Sequence, residues 1–152
     1  MSKARTLTVL AAAAAAVAAT TVAAPAAHAT TFRAQQVIGL YAPVPSGWIT
    51  VSQNQPTNSK VIEYLGGAPY AATVTALPNQ SAPANWVLVN VAYTDATATL
   101  EYLGSAPTGA TAAMDVGCVT AVGRVYGYAV PAGWTITGTY SSSTCTWQTL
   151  RH

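Results

Sequence analysis

Two glutamates occupy matched places in this sequence, and matched carboxylates carry a definite chemistry. Glu63 follows Trp48 by 15 positions, and Glu101 follows Trp86 by the same 15. Paired carboxyl groups facing one cleft hydrolyse glycosides when their separation suits. Duplication also produces equivalent glutamates with no catalytic purpose, and a strand Glu flanked by apolar neighbours points to water. The remaining machinery is sparse. His28 and His152 are the only imidazoles, one in the N-terminal leader and one at the last position, so the body of the chain lacks the usual base for a Ser or Cys nucleophile. Ser141 to Ser143 then reads as a loop. The expectation is a protein that is not an enzyme, with no catalytic residue, cofactor or metal.

Aromatic residues are the stronger candidates. Trp48, Trp86 and Trp134 recur in one motif, Tyr64 and Tyr102 in another, and Trp147 stands outside both. Flat amphipathic rings stack on sugars and on partner proteins. These six residues form the candidate binding set. The competing reading makes one Trp per motif a core anchor packed under a proline corner, and the repeated tryptophans fit that description better than Trp147 does.

The elements that position these rings come from an internal repeat. Pro45-Ser46-Gly47-Trp48, Pro83-Ala84-Asn85-Trp86 and Pro131-Ala132-Gly133-Trp134 share one pattern. Glu63-Tyr64-Leu65-Gly66 and Glu101-Tyr102-Leu103-Gly104 share a second, for which the third copy offers Gln148-Thr149-Leu150. Matching spacing as well as matching letters marks a degenerate threefold repeat, with copies at about 36–69, 72–107 and 117–152. Trp86 to Tyr93 is almost unbroken β-branched and aromatic sequence, and Trp134 to Tyr140 alternates Thr, Ile and Gly, both of which suit strands. Polar segments at Asn54 to Asn58, Thr94 to Ala96 and Ser141 to Thr144 have hairpin-loop length. A third strand precedes each hairpin, at Gln36 to Tyr41, Ala72 to Leu77 and Cys118 to Val122, the last continuing toward Tyr128. The spacing predicts an all-β single domain of about nine short antiparallel strands, sandwich or barrel-like.

Composition sets the compartment. Lys3 and Arg5 precede an apolar run from Leu7 to Val22, and Ala27-His28-Ala29 supplies a small-residue cleavage site, so residues 1–29 read as a signal peptide. Residues 30–152 then form the single mature β domain, expected to be secreted, extracellular or periplasmic, and not to span a membrane. Its charges, Arg33, Lys60, Arg124 and Arg151 against Glu63, Asp95, Glu101 and Asp115, cancel. Without a basic stripe the electrostatic basis of nucleic-acid binding is missing, so nucleic acid is not an expected partner. A neutral surface puts little repulsion in the way of self-association.

Cys118 and Cys145, the only cysteines, both lie in the third copy, and in an exported chain an even pair reads as a disulfide. The loop it would close spans 28 residues counting both ends, for which the chain-entropy relation gives about 3.6 kcal/mol. A Cα separation of about 5.5–6 Å is expected. No mature-chain histidine inside the domain is available to turn the pair into a metal site.

The stretch from Cys118 through Val130-Pro131-Ala132-Gly133-Trp134 to Cys145 resembles modules of small secreted bacterial proteins of unknown function, which place a cysteine before and after a Pro-Ala-Gly-Trp strand. That resemblance implies no activity. The expected function is a non-catalytic module that binds a glycan or cell-envelope surface, with a structural or self-assembling envelope protein as the alternative.

Overall fold

The computed structural model describes residues 30–152 except 93, 95, 96 and 122. The expected signal peptide at 1–29 lies outside the described residues, as do Asp95, Ala96, Tyr93 and Val122. The described chain has no helix and ten strands, one more than expected: β1 Gln35–Gly39, β2 Trp48–Asn54, β3 Ser59–Tyr64, β4 Thr73–Ala76, β5 Trp86–Val91, β6 Ala98–Tyr102, β7 Thr111–Thr120, β8 Gly123–Tyr126, β9 Thr135–Ser141 and β10 Cys145–Arg151. Among the described residues no helix is long and apolar enough to cross a membrane.

The strands form three antiparallel sheets in a sandwich-like arrangement rather than a closed barrel. Their orders are β1-β3-β2, β4-β6-β5 and β8-β7-β10-β9. In each, the last strand of the segment sits between the first strand and the one just before it in sequence. β8 is the addition: the stretch expected to prolong β7 instead turns back as a separate strand on its outer side, with Val119 opposite Arg124. β7 itself starts at Thr111, earlier than the Cys118 expected from apolar residues alone.

Local chemistry repeats with the topology. Each Trp amide donates to the carbonyl of the proline three residues earlier, at 3.2, 3.4 and 3.2 Å for Trp48, Trp86 and Trp134. The third residue of each turn has positive φ: Gly47 at 83°, Asn85 at 68° and Gly133 at 84°. Glycine takes that conformation without cost and Asn tolerates it better than most, which explains why Asn alone replaces Gly here. Three residues past each Trp, at Val51, Val89 and Thr137, the strand carries an extra residue that kinks its pairing.

Packing is stepwise. Ile49, Leu65, Phe32, Val51 and Ala68 of the first sheet pack on Val74, Ala76, Trp86 and Leu100 of the second. Val87, Leu103, Tyr70, Val89 and Ala106 of the second sheet occupy the equivalent places against Ala112, Met114, Trp134 and Leu150 of the third. The same junction is thus made twice. Its continuation is polar: Thr135, Thr108 and Thr137, all exposed, stand where Val87, Tyr70 and Val89 would be. Exposed Gln36 likewise stands on the first sheet where Val74 stands on the second. Stacked repeats end in such polar faces because an apolar one would recruit another layer.

Candidate binding surface

The proline corners line up along one side of the stack. Val44, Pro45, Gly47 and Trp48 face Gln80, Ser81 and Pro83 across a groove of about 410 Å³. Ser81, Pro83, Asn85 and Trp86 face Tyr128, Val130 and Pro131 across a second of about 470 Å³. Both grooves include Ser81, Ala82 and Pro83, so they adjoin. Gln80 fixes the shared wall: its side-chain amide donates to the Thr50 carbonyl at 2.9 Å and accepts from the Thr50 amide at 2.8 Å.

The three repeated tryptophans are not equivalent in exposure. Trp86 and Trp134 are buried, at 3% and 7% exposed, and Trp134 Nε1 donates to the Leu103 carbonyl at 3.2 Å. They are core anchors. Trp48 is only half-buried, because among the described residues no sheet precedes the first one to cover it. Tyr64 and Tyr102, also half-buried, lie tilted on Trp48 and Trp86 with centroids 5.4 Å apart. Each tyrosine also closes on the glycine two residues later, where a Cβ at Gly66 or Gly104 would run into the Tyr64 or Tyr102 ring. Trp147 is half-buried and stacks on the exposed Tyr140 at 5.3 Å and 17°.

The matched glutamates have different surroundings. Glu63 is 6% exposed, accepts from Gln35 Nε2 at 2.7 Å and has Arg33 Nε at 3.5 Å. Glu101 is half-buried, and burial pushes its carboxyl up from the ordinary value. Neither lines the grooves described here. In the third sheet the corresponding pair is Arg151 and His152, since Arg151 lies opposite Thr135 as Glu63 lies opposite Ile49. The stretch matched from sequence, Gln148-Thr149-Leu150, begins 14 positions after Trp134, whereas Arg151 lies 17 after it, because the β9–β10 hairpin is longer than the other two.

Cys118 and Cys145 form the disulfide, with Cα atoms 4.1 Å apart. That is closer than expected, because the two residues lie directly opposite on β7 and β10 while the Val119 amide bonds the Thr144 carbonyl beside them at 2.8 Å. Facing residues that do not themselves exchange backbone hydrogen bonds approach most closely.

One residue that the sequence reading counted only in the charge balance is Asp115, which is 1% exposed. Three residues from Cys118, it would face the opposite side in a regular strand. The pairing slips between Thr146 and Trp147, leaving Val116 extra, so Asp115 opposite Trp147 shares a face with Cys118 opposite Cys145. Oδ2 lies 3.0 Å from Cys118 Sγ, and Oδ1 has no hydrogen-bond partner. Burial pushes the carboxyl up, with the Gly117 amide pulling the other way. Asp115, Trp147, Asn90, Val91, Thr144 and the disulfide line a cavity of about 210 Å³. Asp115, Cys118 and Cys145 have ligand atoms within 4.8 Å of one another, but with both sulfurs in the disulfide the group offers a cation one carboxylate and no thiolate. Compared with known proteins, the chain matches no family model, no curated protein and no solved structure.

Proposed function

We propose that this chain is an exported, non-catalytic module that holds an extended glycan of a cell-envelope surface in the adjoining proline-corner grooves. The observation that carries the reading is Trp48. It occupies the place of two core anchors yet remains half-buried beside an open groove, so its ring is available to a sugar face. Two grooves sharing a wall suit a polymer better than a small molecule, and a domain over residues 30–152 whose charges cancel suits a neutral ligand.

The test is retention on purified cell-wall and glycan fractions, compared with Trp48→Ala and with Tyr126→Ala, an exposed aromatic outside both grooves, as the control. Retention that falls at least about tenfold only in the Trp48 variant supports the reading. Absence of retention on every fraction removes it.

A second reading, a self-assembling envelope protein, draws on β9. That strand is a sheet edge, every residue but Gly138 is exposed, and it carries Ile136 and Tyr140 at 49% and 51% exposed with no charge. An uncharged edge is a template for pairing with another chain. Size-exclusion chromatography over a concentration series separates the two readings, since a concentration-independent monomer counts against assembly.

A further inference from the structure

The cavity beside the disulfide holds groups that the corner grooves do not use. Asp115 keeps one carboxyl oxygen without a partner in an almost fully buried position, an arrangement that folding alone does not reward. The cavity is bounded by the indole of Trp147, which Tyr140 steadies by stacking, and by the side chains of Asn90 and Thr144. Asp115 and Trp147 face each other on two paired strands pinned by the disulfide, which fixes their geometry, while Asn90 of β5 and Thr144 of the β9–β10 turn form the rim.

We propose that this cavity is a subsite for a single hexopyranose ring of a neutral glycan, with Asp115 and Asn90 bonding its hydroxyls and Trp147 covering its C–H face. The proposal deepens the glycan reading and rests on it for the class of ligand, but it uses a different part of the molecule.

Three features lead to that ligand. A hydroxyl both donates and accepts, so it satisfies the Asp115 carboxyl whether protonated or ionised, and it also serves the amide of Asn90 and the hydroxyl of Thr144. An ammonium group needs the carboxylate charged, which burial opposes. At about 210 Å³ the cavity falls below the roughly 300–1,000 Å³ of drug-sized sites, so it takes one ring rather than a chain. Oδ1 is closed from bulk water in the free protein. A ring therefore reaches it by parting the rim at Asn90 and Thr144, both exposed.

The test titrates the protein with methyl glycosides of glucose, mannose, galactose and N-acetylglucosamine up to about 50 mM, reading the Trp147 indole N–H signal by NMR and identifying it with Trp147→Phe. At least one glycoside should move that signal saturably. Asp115→Ala should weaken the effect at least about tenfold, and Asn90→Ala, which changes only an exposed rim residue, should weaken it without disturbing the fold. Trp48→Ala should leave it unchanged. The proposal is overturned if no glycoside moves the signal, if choline moves it and the glycosides do not, or if Asp115→Ala and Asn90→Ala respond as the unmodified chain does. Should glycosides fail while Trp48-dependent retention on polysaccharide persists, the cavity assignment falls and the groove reading stands. If retention is absent as well, both fall.

Discussion

His152 lies on Trp134 with ring centroids 5.3 Å apart, taking the position that Tyr64 holds on Trp48 and Tyr102 on Trp86. The histidine also covers Gly133, whose added Cβ would meet Nε2 at 3.1 Å, as one at Gly47 would meet Tyr64 Cε2 at 3.0 Å. A ring is what this position shares across the three sheets. His152→Ala is therefore expected to destabilise the fold by about 1 kcal/mol, the usual worth of an aromatic pair, while His152→Tyr retains or raises stability. Urea unfolding of the two variants checks this, and equal losses in both would show that the stack contributes nothing.

The turn before each Trp gives a second prediction. Gly133→Ala places a side chain at φ of 84° against His152 and is expected to cost about 1–2 kcal/mol. Asn85→Gly removes a tolerated but strained residue at φ of 68°, so it should be close to neutral. Thermal unfolding of both distinguishes backbone strain from side-chain loss. An Ala variant as stable as the parent would dismiss strain at this corner.

How far the sequence carries the structure depends on whether the signal was local. The strands around Trp48, Trp86 and Trp134 were legible because proline, a turn residue and a β-branched run lie within a few positions of one another. The Cys118–Cys145 pairing was legible from cysteine number and compartment chemistry. β8 was not, because Gly123 to Tyr126 continues the apolar character of β7 and only the turn between them separates two strands from one. Asp115 was hidden for a different reason. Its inward direction comes from the extra residue Val116, and a slip in pairing leaves no trace in alternation. Of the aromatic candidates, Trp86 and Trp134 proved to be interior, and what distinguishes Trp48 is the missing neighbour rather than anything in its own motif.

Acidity supplies a third prediction. Burial raises the carboxyls of Asp115 and Glu101 above their ordinary values, so the folded chain favours their neutral forms more than the unfolded chain does. Their contribution to stability is then fullest below the ordinary carboxylate range and is lost as pH rises through the raised folded values. Asp115→Asn removes one of the two without changing shape. Its stability relative to the parent should increase from about pH 4 to pH 7, read as the urea midpoint at each pH. A difference that stays constant across that range would contradict the assignment.

The polar ends of the stack give a fourth. Thr108, Thr135 and Thr137 replace the Tyr70, Val87 and Val89 that bury against the third sheet. Restoring the apolar set with Thr108→Tyr, Thr135→Val and Thr137→Val exposes a face built to receive another layer. The triple variant is expected to associate with rising concentration in analytical ultracentrifugation, whereas the parent does so less. A triple variant no more associated than the parent would mean that these threonines are not what ends the stack.

In the two three-stranded sheets the middle strand is the one that arrives last along the chain. Each of those segments, emerging from its N-terminal side, therefore presents two strands with no common neighbour, and neither can be zipped into a sheet until the third has followed. The last layer differs, because β8 can close on β7 at once and only β9 must wait for β10. Assembly is gated by length: neither of the first two layers closes in halves, and a stall inside either leaves two open borders exposed to whatever lies nearby.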